Sequence, residues 1–167
     1  MYLYTNPVSF TYSNYGLSLR YPADMTVTEM KTGNMTLSQT SGELGFVDDE
    51  HLAIVMWEVS HPGWTPSSAV SGSITGMMAG LSRGYPGITL GSLGGKVNLT
   101  RSDGGIAVVQ HFTWTYDGDT HWSVSGSWLD GRSPRVYGVL VISFSPVDSS
   151  GDADRLFNFF ESMRTVS

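Results

Sequence analysis

The stretch Tyr12-Ser-Asn-Tyr-Gly-Leu-Ser-Leu-Arg-Tyr-Pro-Ala-Asp-Met25 decides how the rest of the chain is read. It predicts a strand end, a turn at Gly16 where glycine tolerates positive φ, and an alternating strand with Leu17, Leu19 and Tyr21 on one face. Pro22 cannot donate to a ladder and ends that strand. Phe10–Tyr12 and Leu17–Tyr21 therefore pair, and the chain is expected to extend an antiparallel sheet outward from them.

Working onward, Thr26–Lys31 and Met35–Gln39 read as a hairpin around Thr32-Gly-Asn34, and Ser41–Glu50 as a polar, acidic loop. Leu52–Val59 is apolar on both faces, with Leu52, Ile54 and Met56 against Ala53, Val55, Trp57 and Val59. Such a strand belongs in the middle of a sheet, covered on both sides. Thr65-Pro66 starts a helix, threonine as N-cap and proline at the first turn. Val70, Ile74, Met77, Met78 and Leu81 form its apolar stripe, and Gly84 and Pro86 end it.

A strand near Ile88–Leu93 follows, then a meander of Val97–Arg101, Ile106–Tyr116, Trp122–Trp128 and Val136–Ser145. Asp103-Gly104, Asp117-Gly118 and Asp130-Gly131 punctuate it. In Ile106–Tyr116 the even positions are apolar, and in the next strand Trp122, Val124 and Trp128 are. Pairing apolar with apolar requires a three-residue loop, Asp117-Gly-Asp119, with Trp114 opposite Trp122 and Phe112 opposite Val124. Val136–Ser145 is a second central strand. Asp152–Met163 is a closing helix with Ala153, Leu156, Phe157, Phe160 and Met163 on one stripe. Two amphipathic helices and two doubly apolar strands imply an α+β fold: a three-layer α/β/α sandwich on a central antiparallel sheet. Residues 1–167 are expected to form one domain, with 1–8 a loose lead-in.

Composition narrows the function. The net charge is -6, only two lysines occur (Lys31 and Lys96), and the arginines are scattered, which excludes a nucleic-acid footprint. Charged residues make up 14% of the chain against about 25% in an ordinary domain, and Ser, Thr and Gly fill the gap. Cysteine is absent, so thiol catalysis and Cys-based metal sites are excluded. No apolar run is long enough to span a membrane, and the first residues lack the pattern of a signal peptide. A signal or anchor trimmed ahead of Met1 is compatible with this. Asn34-Met-Thr36 and Asn98-Leu-Thr100 are glycosylation sequons, in keeping with an extracellular setting.

Few constellations can carry chemistry. Gly80-Leu-Ser82-Arg-Gly84 has the G-x-S-x-G spacing but sits at a helix end instead of a strand-to-helix turn. Gly91–Lys96 fails the phosphate-loop spacing and reads as a glycine-rich turn. Asp48, Asp49, Glu50 and His51 are the densest run of cation ligands; hard oxygens suit calcium or manganese, and His51 adds a nitrogen. On an extended segment at most two of them could share an ion. Asp117, Asp119 and His121 lack the glutamate that completes a calcium loop. In the register above, His111 and His121 share the polar face about 13 Å apart, too far for one ion. Gly72, Gly76, Gly80 and Gly84 recur every fourth residue, opposite the apolar stripe of the first helix. Glycine costs about 0.8–1 kcal/mol per interior helix position, so the row is not there for helix stability. Gly72, Gly76 and Gly80 form a candidate partner interface, since small side chains let another backbone approach.

In the same order the chain resembles the PsbP-like superfamily, which also contains a Ran-binding nuclear-transport family. The pieces that carry the resemblance are Tyr15-Gly-Leu-Ser-Leu-Arg-Tyr-Pro22, Gly45-Phe-Val-Asp-Asp49 and the Thr65–Gly84 helix. Asp130-Gly-Arg132 ahead of Arg135-Val-Tyr-Gly-Val139 and the final Glu161-Ser-Met-Arg164 complete them. Met25 stands where the family often has tryptophan. The resemblance implies an antiparallel α/β/α fold and a non-enzymatic, extracytoplasmic or cell-surface accessory protein that binds a protein or surface assembly without a cofactor. A metal- or small-ligand-binding domain using the 48–51 loop is the alternative.

Overall fold

The computed structural model describes residues 9–30, 37–101 and 103–166. In chain order the elements are β1 (Ser9–Asn14), β2 (Leu17–Pro22), β3 (Thr26–Glu29), β4 (Ser41–Val47) and β5 (His51–Val59), then α1 (Pro66–Leu81). After it come β6 (Thr89–Leu93), β7 (Val97–Thr100), β8 (Ile106–Tyr116), β9 (Asp119–Leu129), β10 (Arg135–Ser143), α2 (Ser150–Phe160) and β11 (Arg164–Thr165). The fold is α+β and mostly antiparallel sheet. A large sheet runs β3-β4-β5-β10-β9-β8-β6, with β7 also on β8, and a small sheet runs β1-β2-β11.

The opening hairpin does not seed the large sheet, contrary to expectation. Tyr15 (φ 53°) and Gly16 (φ 71°) make a tight two-residue turn. Arg135, at the start of β10, donates from both terminal nitrogens to the carbonyls of Gly16 and Tyr15, each at 3.0 Å. A Cβ at Gly16 would lie 2.8 Å from that guanidinium. Tyr15 stacks on Trp57, ring centres 5.7 Å apart. The hairpin is therefore docked against a face of the large sheet and joined by β11, and its buried Leu17 and Leu19 enter the core there.

A second correction concerns Ser41–Val47, read as loop and found as strand. Gly42 and Gly45 disguise its alternation. Gly42 lies beneath Trp57, where a Cβ would come within 2.2 Å of the indole, while Leu44 and Phe46 are fully buried. The predicted Thr32-Gly-Asn34 turn falls outside the described residues. β5 and β10 lie side by side in the middle of the large sheet, as their doubly apolar patterns require.

The third correction is the β8–β9 register. Trp114 lies opposite His121, and Phe112 opposite Ser123, across a two-residue Asp117-Gly118 turn with φ of 52° and 82°. Aromatics thus sit beside serines. The serine row (Ser123, Ser125, Ser127) is not a solvent face; it is buried under α1. Its small side chains leave room for the helix. Trp114 donates to Ser123 Oγ at 3.2 Å, and Ser73 of α1 and Ser125 share a hydrogen bond at 2.5 Å.

The same alternation separates two cores. On one face Ala53, Val55, Trp57, Val124, Trp128, Val139 and Val141 pack against α2 and the small sheet. On the other, Leu140, Ile142, Phe112 and Trp114 pack against Val70, Ile74 and Met77 of α1. Thr65 caps α1 reciprocally with Ser68 and Pro66 opens it, as expected, but the helix ends at Leu81, before Gly84. Ser149 caps α2 with Asp152, and Ala153, Leu156, Phe157, Phe160 and Met163 are all buried.

Candidate functional site: the groove beside the first helix

Around α1 the side chains are unevenly sized. The core stripe is Val70, Ile74 and Met77. The flank toward β5 carries Ala69, Gly72, Ser73, Gly76 and Gly80, and Met77 and Leu81 reach the same groove from the apolar stripe. On the opposite flank Lys96 Nζ donates to Ser71 Oγ (2.6 Å) and to Ser67 O and Oγ (2.8 and 2.9 Å), tying the helix toward the β6–β7 edge. The helix thus lies over β9, β8 and β10. Leu52, Ile54 and Met56 of β5 are left only half-buried.

Between the small flank and that apolar strand runs a groove of about 550 Å³. Its floor is Leu52, Ile54, Met56, Leu140, Ile142 and Val136, and Ser73, Ser127, Glu43 and Glu58 are its polar lining residues. The size is that of an ordinary ligand cleft. A Cβ added at Gly72, Gly76 or Gly80 would meet nothing within 4 Å. Among the described residues, nothing packs against those glycines. The structure moves them from a face opposite the core stripe to the wall of the groove. Strand β5, expected to be covered on both sides, is covered fully on one.

The 48–51 segment is built differently. His51 opens β5 and is 3% exposed. Asp48 Oδ1 accepts the backbone N–H groups of Glu50 and His51 at 2.8 and 2.7 Å and faces His51 Nδ1 at 3.0 Å. Nε2 lies 2.6 Å from Asp148 Oδ2, which also accepts from Ser143 Oγ at 2.7 Å. Burial disfavours charge on the ring, yet the hydrogen bonds and charges of Asp48 and Asp148 outweigh it and raise its pKa to about 9. Burial also opposes charge on Asp48, but the His51 hydrogen bond and the backbone donors hold its pKa below the ordinary value.

At neutral pH His51 is an imidazolium donating from both nitrogens. Asp49 and Glu50 are exposed. Glu50, His51 and Asp148 bring ligand atoms within 4.8 Å of one another, so a cation could be offered three donors, but only by displacing a proton already shared with carboxylates. As it stands, the cluster latches β5 to the segment leading into α2. Asp148 lies 97 positions from His51, and no local signal announces it.

The other histidines separate. His111 faces α2 and pairs with Asp154, whereas His121 is on the α1 face, stacked on Trp114 at 4.1 Å. The shared polar face expected for them does not exist, because the register places them on opposite sides. Burial lowers the His121 pKa, and among the described residues its Nδ1 has no hydrogen-bond partner. Ser82 of the G-x-S-x-G match is the α1 C-cap. Among the described residues, no helix is long and apolar enough to cross a membrane.

No protein-family model and no curated protein matches the chain. Among solved structures it is similar to cyanobacterial PsbP (CyanoP) from Synechocystis sp. PCC 6803. The identity is 13% and the TM-score 0.58, over 94% of this chain and 92% of that one. LpqN of Mycobacterium tuberculosis, involved in cell envelope biogenesis, matches at 12% identity and TM-score 0.44, over 96% of this chain and 90% of that one. PA94 of Pseudomonas aeruginosa matches at 14% and 0.33, over 81% and 82%. The last two scores carry no weight on the fold. The similarity to CyanoP gives this chain a PsbP-like fold.

Proposed function

We propose that the chain is a non-catalytic, extracytoplasmic accessory domain, a three-layer sandwich in outline, that binds an apolar segment of a partner protein in the α1 groove. The observation that carries this reading is the groove itself: an apolar floor beside a helix flank of glycine, alanine and serine, with open space over every glycine. A helix that keeps Gly72, Gly76 and Gly80 against their propensity cost, with no packing need of its own, is suited to a close-approaching occupant. Among the described residues the groove lining is mostly aliphatic, with serines and two carboxylates and no histidine, which favours binding over catalysis. The hydroxyl-rich, weakly charged composition supports the extracytoplasmic setting.

A small apolar ligand is the second reading, favoured by the volume. Calcium or manganese at Asp48, Asp49, Glu50 and His51 ranks below both, because the His51 nitrogens are already engaged by carboxylates. The test is titration with the neutral apolar dye Nile red, comparing the native chain with Gly76→Leu combined with Gly80→Leu. Saturable fluorescence lost in the filled variant supports the groove, and equal fluorescence in both overturns it. Displacement of the dye by an amphipathic helical peptide favours the protein partner; displacement only by a medium-chain alcohol favours the small ligand.

A further inference from the structure

Away from the groove, on the side of the small sheet, the charge pattern reverses. Ser18 and Arg164 are cross-strand partners on β2 and β11, and Arg20 follows Ser18 by two, so all three share a face. Thr11 pairs with Arg20 on β1 and joins that face. With Arg101, from the β7–β8 turn, and Ser162, after α2, they line a pocket of about 370 Å³. Three arginines line it with one carboxylate, that of exposed Asp103, in a chain whose net charge is -6, while Glu161 and Asp130 lie close enough to Arg101 to act on its charge. An adjoining pocket of about 230 Å³ shares Arg20 and Ser162 and adds Arg155 and Asn158.

Arg101 makes this more than a surface coincidence. Its side chain is 3% exposed, with the guanidinium stacked on Trp128 at 4.1 Å. One terminal nitrogen donates to the Met163 carbonyl at 2.9 Å and lies 3.4 Å from Asp103, and Nε is 3.9 Å from Glu161. Among the described residues, Nε and the other terminal nitrogen have no hydrogen-bond partner and are sealed from solvent, so Arg101 acts on the pocket through its charge. A buried guanidinium has five donors to satisfy, and orphaned ones are costly. Arg20 uses one nitrogen on Ser9 Oγ at 3.0 Å. Hydroxyls at Thr11 and Ser18 stand alongside, while that of Ser162 already donates to the Phe159 carbonyl and accepts the Arg20 backbone N–H.

We propose that this pocket is an oxyanion site, taking phosphate or a phosphate monoester. Arginines lining one pocket beside hydroxyls supply the kind of donors a tetrahedral oxyanion accepts, and a partly buried setting strengthens each charge-assisted hydrogen bond. The site is independent of the α1 groove, since no residue lines both.

Thermal shift and calorimetry of the intact chain at constant ionic strength test it, with sodium chloride as baseline and inorganic phosphate and glycerol 3-phosphate as probes. Phosphate should raise Tm saturably above the chloride control. Arg20→Gln and Arg164→Gln, both at exposed positions, should each weaken binding by about tenfold, and the double variant should abolish it. Arg83→Gln, remote from the pocket, should change nothing. Binding of both probes points to the free anion, and binding of the ester alone to an organic phosphate. No shift above the chloride control with either probe, or a shift retained in a folded double variant, overturns the site.

Discussion

The two faces of the large sheet share the strands β5, β9 and β10 yet are finished differently. Under α2, Leu156, Phe157 and Phe160 are at most 2% exposed, and the Phe157 ring lies over Gly126, where a Cβ would come within 2.4 Å of it. Under α1 the helix offers three buried apolar residues, sits on serines and leaves a groove over β5. Large side chains opposite glycine close one face; small side chains opposite serine and half-buried aliphatics leave the other open. The lesson is that patterning creates two apolar faces, while residue size decides which is core and which is a receptor.

That contrast can be broken most directly at the rings. Phe157→Ala should cost about 3–5 kcal/mol in urea unfolding, as a cavity in a closed core does, whereas Ile54→Ala on the groove floor should cost under about 2 kcal/mol. Equal losses would mean the faces are not energetically distinct.

The His51 latch, at the edge of the closed face, sharpens the contrast through pH. Its folded pKa of about 9 lies above the unfolded value near 6.5. Its stabilisation is therefore complete below pH 6.5 and is lost as pH rises through 9, a fall of roughly 2–3 kcal/mol. Urea midpoints between pH 6 and 9.5 should show this fall, and Asp148→Asn should flatten it. A slope unchanged in that variant would assign the titration elsewhere.

The register that sorts residues onto the two faces hangs on the Asp117-Gly118 turn. Gly118→Ala, at φ 82°, should destabilise by about 1 kcal/mol without altering near-UV signals from Trp114. The smallest effect on stability belongs to the open face. Gly76→Leu with Gly80→Leu should leave stability unchanged or raise it by about 0.5–1 kcal/mol while removing Nile red binding. A large destabilisation there would show that the groove is packed after all.

Much of the fold was legible because it is written in local pattern. The α1 cap at Thr65-Pro66, the α2 stripe from Ala153 to Phe160 and the doubly apolar β5 and β10 lie where periodicity places them, although α2 runs Ser150–Phe160 and Met163 is buried just beyond its end. Hydrophobic matching alone gives the wrong β8–β9 register, because the turn decides it. Asp-Gly favours two positive φ values in a two-residue loop, and the serines it sets beside Trp114 face a helix, not water. Strand β4 was missed because Gly42 and Gly45 leave gaps that only Trp57 and its neighbours explain.

By itself the sequence determined the α+β class, the two helices, the central pair of strands and the glycine row on α1, since each depends on contacts within a few residues or on a repeating period. Only the tertiary structure decided that the opening hairpin joins β11 in a separate sheet, that Asp148 meets His51, that four arginines line two adjoining pockets and that the glycines wall a groove. Those outcomes turn on which distant surfaces come together, and local periodicity carries no information about side chains a hundred positions away.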